Sequence, residues 1–261
     1  MRMATAQVPA PKDTAALAKP LGDTAGGLDL FFYTVRRSRE LARPAVRAAL
    51  WRRIQHGALD LAWLAALLGA LAAFLTLETI GFGLGLGVAL GVRVVQTLVV
   101  TQLAGFVCAL LVVAGPGVAA TFELGLMRHQ GEIRTLRLMG IDPRDYLVVP
   151  CVVGFALALF VLAFVFQVAA VLGGFALTAL VSHASLSQLF GALAASLGPA
   201  ALAVSGVKNL ILGAVIGVVV CNQALVEPFS PTQMPRIARL MISRALVALV
   251  IVYGGAALLL P

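Results

Sequence analysis

The sequence predicts an all-α, polytopic membrane protein: an N-terminal interfacial amphipathic helix, five transmembrane helices, and a short amphipathic helix on the cytosolic side between two of them. Three observations carry this. Apolar residues make up 61% of the 261-residue chain before its 26 glycines are counted, against about 45–50% with glycine included in a soluble domain. Charged residues are only 11%, where about 25% is usual. Most of the net charge of +8 comes from three clusters: ten Lys or Arg precede residue 54, four lie at 128–144 and three at 236–244, which is 17 of 19. Clusters of this kind between apolar runs follow the positive-inside rule. A nucleic-acid interface would need a folded, solvated basic face, and no such domain is available.

Residues 1–28 contain Ala, Pro and Asp without an apolar core and read as a flexible cytosolic tail rather than a cleavable signal. Residues 29–56 read as an interfacial amphipathic helix. Leu30, Phe31, Phe32, Val46, Leu50, Trp51 and Ile54 alternate with seven arginines, and Pro44 breaks the segment near its middle. A solvated helix pair is the alternative. The transmembrane domain is assigned to 57–261. Its first span, 57–77, has the roughly 20 residues a bilayer needs, with Asp60 at its cytosolic end and Glu78 just past its outer end. The glycine-rich 80–92 that follows fits either a closely packed helix or a re-entrant stretch.

A second apolar run covers 94–120 and leads into the amphipathic 121–140. From Tyr146 to Val207 there is no charged residue in 62 positions. That length holds a third span to about Leu180 and a weakly polar stretch at the outer leaflet. Spans at 207–226 and 240–260 complete five. Five spans with the N-terminus inside put every basic cluster on the cytosolic side, whereas six would place 236–244 outside.

No phosphate-cradling GxxxxGK[ST] loop, HExxH or GxSxG motif occurs. Cys108, Cys151 and Cys221 lie singly in apolar runs, so neither a disulfide nor a metal site is expected. His56, His129 and His183 are isolated. The chain is therefore expected to be non-enzymatic and without a cofactor of its own. Energised work would draw on a partner or an ion gradient. An ion-coupled carrier needs ionisable residues near the bilayer midplane, and Arg93 and Lys208 are read as lying near span ends.

Residues 123–143 read ELGLMRHQGEIRTLRLMGIDP. Ile133, Leu136 and Met139 recur at three-residue spacing, with Glu132, Arg134 and Arg137 on other faces. Gly140 is placed to end the helix in a left-handed conformation, and Pro143 follows. The spacing predicts a helix of about ten residues, 129–139, with apolar knobs suited to a groove in a partner.

Glu123-Leu-Gly-Leu-Met-Arg128 followed by Leu138-Met-Gly-Ile-Asp-Pro143 resembles the signature of the MlaE/YrbE permease family. These are membrane subunits of ABC transporters that move phospholipid or other lipids between bacterial membranes and an MCE-domain substrate-binding protein. The resemblance covers about 30–260 and includes the layout of interfacial helix, five spans and coupling helix. It implies that Glu132, Ile133, Leu136, Arg137 and Met139 engage a separate, ATP-binding ABC ATPase subunit, with Asp142 and Pro143 fixing the turn into the third span. Glu123 and Arg128 would lie at the membrane boundary, where a charge needs a partner or a route to water. The family pattern also implies a second permease protomer and a lipid cavity built from the first two spans and the fifth. Leu77, Glu78, Gln102 and Phe106 are its candidate lining. The implied location is the bacterial inner membrane, multi-pass, with the N-terminus cytoplasmic.

The chain departs from the family pattern at several places. Thr101-Gln-Leu-Ala-Gly105 stands where Arg-Glu-Leu-Gly-Pro is usual, and Ala114-Gly-Pro-Gly117 where Ala-Gly-Arg-Ala-Gly is usual. Gly131-Glu132 replaces a Glu-Gln, and glycine there is expected to weaken the coupling helix. Pro228-Phe-Ser-Pro-Thr-Gln-Met-Pro235 is expected to be a stiff, non-helical link. The lost charges fit a heterodimer whose other half keeps them, or a homodimer handling a less polar lipid. A non-transporting membrane scaffold, or the ion-coupled carrier, are the rival functions.

Overall fold

The computed structural model describes residues 60–83, 85, 88–140, 144–182, 185–196, 199–226 and 234–259. The expected tail, the interfacial helix, Asp142, Pro143 and most of the proline-rich link lie outside these residues. Every secondary-structure element among the described residues is a helix. Among the described residues, five helices are long and apolar enough to cross a membrane: Asp60–Gly81, Ala89–His129, Tyr146–Ser182, Leu202–Leu225 and Pro235–Gly255. The chain is thus a multi-pass all-α membrane protein.

In chain order, α1 is Asp60–Thr76, prolonged by wide π-type turns over Leu77–Gly83. α2 runs through 88–129 and α3 is Glu132–Leu138. α4 is Val149–Ser182, preceded by wide turns at Arg144–Val148. α5 is Leu186–Ser196, α6 Pro199–Val226 and α7 Met234–Leu259.

The glycine-rich segment resolves as a break between helices. Wide turns end at Gly83, Gly85 takes a positive φ of 64°, and α2 starts at Val88. α2 then continues unbroken to His129, absorbing the expected amphipathic start at 121. Its 41 residues from Ala89 to His129 span about 60 Å at 1.5 Å per residue, twice the roughly 30 Å hydrocarbon layer. Its last turns therefore project beyond the layer at the end of the bundle that carries the 128–144 basic cluster, called here the basic end. Pro116 sits inside this helix, in wide turns at Val113–Gly117, a local widening of the kind that accommodates a residue lacking an N–H. Pro235 differs from expectation as well. It occupies the second position of α7, where a helix has no use for the missing donor.

α4 is the central post. Two thirds of its apolar window (67%) is buried, against 22% for α1 and for α7. Phe155, Leu159, Leu162, Phe166 and Phe175 fill the interior along its length. α1 approaches one side through Ala65, Gly69 and Ala73, spaced every four residues. A methyl at Gly69 would stand 2.5 Å from the Phe166 carbonyl oxygen. α6 approaches another side, where a methyl at Gly213 would stand 2.6 Å from the Phe155 carbonyl oxygen. Small residues at both seams let backbones pack closely, which is how helices associate where lipid removes the hydrophobic drive.

Candidate functional site

Polar side chains gather at two levels of this apolar bundle. The first lies toward the end opposite the basic one and draws on α2, α4, α6 and α7. Lys208, on α6, donates from Nζ to the Thr101 carbonyl oxygen and to Gln102 Oε1, both at 2.8 Å. The same ammonium stands 4.6 Å from the centroid of the Tyr253 ring, within cation–π range. The Tyr253 hydroxyl donates to the Gln102 carbonyl oxygen at 3.2 Å, and its ring meets Phe106 edge-on with centroids 6.1 Å apart.

The backbone of α2 makes this cluster available. Over Val95–Leu103 the helix widens, and the Ala104 N–H reaches back five residues to the Val99 oxygen. Returning to four-residue spacing leaves one carbonyl without an intrahelical donor at such a joint. The Val100 oxygen accepts instead from Gln167 Nε2 on α4 at 3.0 Å, and that amide also donates to Ser205 Oγ at 3.0 Å. Lys208 serves the next carbonyl. Gly105 completes the packing, since a methyl there would overlap both Asn209 Oδ1 and the Tyr253 hydroxyl. Asn209 is 2% exposed and its Oδ1 has no hydrogen-bond partner.

Around the cluster the surface is apolar and open. Leu103 and Phe106 on α2, Val204 and Val207 on α6, and Val250 on α7 lie within about a turn of its members and are all exposed.

Two of the four expected cavity residues, Gln102 and Phe106, belong to this cluster. The other two do not. Leu77 is fully buried in the core, and Glu78 accepts a hydrogen bond from Ser182 at the outer ends of α1 and α4. Lys208 was read from sequence as lying near the end of a span. α6 begins at Pro199 instead, which sets Lys208 nine residues in, about 14 Å along the axis. The signal that could have revealed this is the apolar run Pro199–Val207 ahead of the lysine.

At the basic end, Arg128 of α2 donates from Nη1 to the Leu225 carbonyl oxygen of α6 at 2.6 Å. Arg244 of α7 donates to Gln223 Oε1. Glu123 is exposed on the projecting part of α2. Beyond His129 the chain turns at Gly131, whose φ is 81°, into the seven-residue α3, and Gly140 closes the far side with a φ of 75°. Gly140 acts as expected. Gly131, rather than weakening the helix from inside, takes the left-handed conformation that separates α2 from α3. Within α3, Glu132 is exposed, Leu136 half-buried and Ile133, at 7% exposure, turned into the protein. Met139 lies in the turn just beyond. The most outward apolar side chains are Leu138 at 81% and Met139 at 68%. Arg137 lies on α3, and its side chain is outside the described residues.

The sequence profile of the family described as Permease MlaE matches residues 51–258. The chain belongs to the MlaE permease family. Over 118 residues the permease is also 36% identical to the chloroplast protein TRIGALACTOSYLDIACYLGLYCEROL 1 of Arabidopsis thaliana, an alignment covering 43% of this chain and 32% of that protein. The chain thus spans about a third of the length of that relative. In the permease, the stretch Thr101–Gly105 begins on the widened part of α2 and supplies both acceptors of Lys208.

Proposed function

We propose that this chain is the permease subunit of an ABC transporter that moves phospholipid or another hydrophobic lipid between the bacterial inner membrane and an MCE-domain protein. The observation that carries the reading is Lys208, held by neutral partners inside a helix long and apolar enough to cross a membrane, with exposed apolar residues around it. A lipid headgroup meets the Lys208–Gln102 pair, and acyl chains lie along Leu103, Phe106 and Val250. Family membership and a relative whose name carries a glycolipid support the same substrate class.

The subunit's own role is non-enzymatic. ATP is bound by a partner ATPase, against which α3 presents Leu138 and Met139, with Glu132 and Arg137 orienting the contact and Asp142 and Pro143 setting the turn into α4. The basic end faces the cytosol, with the N-terminus on the same side. Two permease protomers, identical or not, enclose the lipid path. Closure of the ATPase pair displaces α3, and Arg128 passes the movement to the end of α6. An ion-coupled carrier would need a carboxylate to exchange protons or bind sodium near Lys208. Among the described residues the contacts of Lys208 are a carbonyl, an amide and a ring.

Reconstitution tests this. The permease, co-purified with its ATPase and placed in vesicles, is expected to transfer fluorescent phospholipid to an MCE acceptor only when ATP is hydrolysed. Vesicles that hydrolyse ATP with α3 docked yet move no lipid would favour the scaffold instead.

A further inference from the structure

Among the described residues, Lys208 carries the one formal charge of its cluster. Its acceptors, the Thr101 carbonyl and Gln102 Oε1, are neutral dipoles, and the Tyr253 ring offers only its π face. Gln167, Ser205 and Asn209, which complete the polar surroundings, are neutral too. A single charge at membrane depth is costly unless something of opposite sign meets it. Neutral acceptors hold the ammonium in place without cancelling its field, and in a low-dielectric wall that field is little screened. A zwitterionic headgroup would bring a phosphate together with its own amine, which then faces Lys208 as a like charge. A headgroup with a phosphate and no amine brings only the missing sign.

From this charge balance we infer that the Lys208–Gln102–Tyr253 site selects lipids of net negative headgroup, such as a phosphatidylglycerol, over zwitterionic and uncharged ones. The inference rests on the lipid-permease reading and names its substrate class. Gln102 offers an internal control. In Gln102→Glu a carboxylate replaces the amide at the position 2.8 Å from the ammonium, so the protein supplies the anion itself.

The test is lipid retention without ATP. The full chain is purified into micelles with equimolar phosphatidylglycerol and phosphatidylcholine, and the retained lipid is counted by native mass spectrometry. Wild type and Lys208→Arg are expected to favour phosphatidylglycerol about ten-fold, the size of one charge-assisted hydrogen bond. Lys208→Gln and Gln102→Glu are expected to fall to near parity while melting as wild type does. Excess inorganic phosphate is expected to leave the bound lipid in place. Parity in wild type, an unchanged preference in either neutralised variant, or displacement by phosphate would overturn the assignment. Vesicles that transfer both lipids equally would sink this inference alone. Selective retention without ATP-driven transfer would sink the transporter reading alone.

Discussion

Two cationic side chains meet α6 at places 17 residues apart, about 25 Å along the helix, and the protein treats them in opposite ways. Arg128 arrives from α2 and donates to the Leu225 oxygen, one of the last four carbonyls of α6, which have no donor within the helix. The guanidinium there also faces the negative end of the helix dipole. Its charge has a structural use, and the contact ties the end of α2 to the end of α6. Lys208 belongs to α6 itself and finds neutral acceptors on α2 and a ring on α7. Its charge is positioned but not cancelled. The first arrangement is a joint and the second is the proposed lipid site. The difference lies in whether the fold supplies the opposite sign.

The comparison can be broken at several strengths. Gly105→Leu drives a side chain into Asn209 and Tyr253 and is expected to cost about 3 kcal/mol or more. A thermal melt in detergent checks it, and an unchanged midpoint would mean that α2 and α6 are not closely packed there. Arg128→Ala leaves the helix end without its donor, at roughly 1–3 kcal/mol. Hydrogen exchange should quicken at 222–226 and stay unchanged around Asn209; equal quickening at both levels would contradict a local joint. Lys208→Gln removes only bonds to neutral acceptors and should lower stability by no more than about 1 kcal/mol, shifting lipid preference instead. Leu138→Glu alters a side chain that is 81% exposed and should move stability by under about 0.5 kcal/mol. It should still abolish stimulation of the partner ATPase, read as ATP turnover with and without the permease.

The same contrast explains what could be read from sequence. Five spans were legible because bilayer thickness imposes a length and basic residues mark one side, as the clusters around Arg128 and Arg236 do. Gly140 was legible as a helix stop because its conformation is a local property. Gly131 was misread because a left-handed turn and a weakened helix look alike until the direction of the next segment is known. The start of α6 was misjudged because Pro199–Val207 sits in an uninterrupted apolar stretch whose subdivision depends on packing. That error hid Lys208, and with it the proposed site. Gln102 and Phe106, two of the expected cavity residues, fall in the cluster around Lys208 and Tyr253. Leu77 and Glu78 fall elsewhere, since nothing local says which face of α1 meets α4.

The central claim is that lipid travels past the Lys208 cluster. Photo-crosslinking a diazirine phospholipid to probes placed at Phe106 and, for comparison, at Leu71 tests it most directly. Leu71 is an exposed residue of α1 and reports ordinary bilayer contact. The account expects labelling at position 106 to rise and fall with the nucleotide state of the assembled transporter, while position 71 stays constant. Equal, nucleotide-independent labelling at both positions would contradict it.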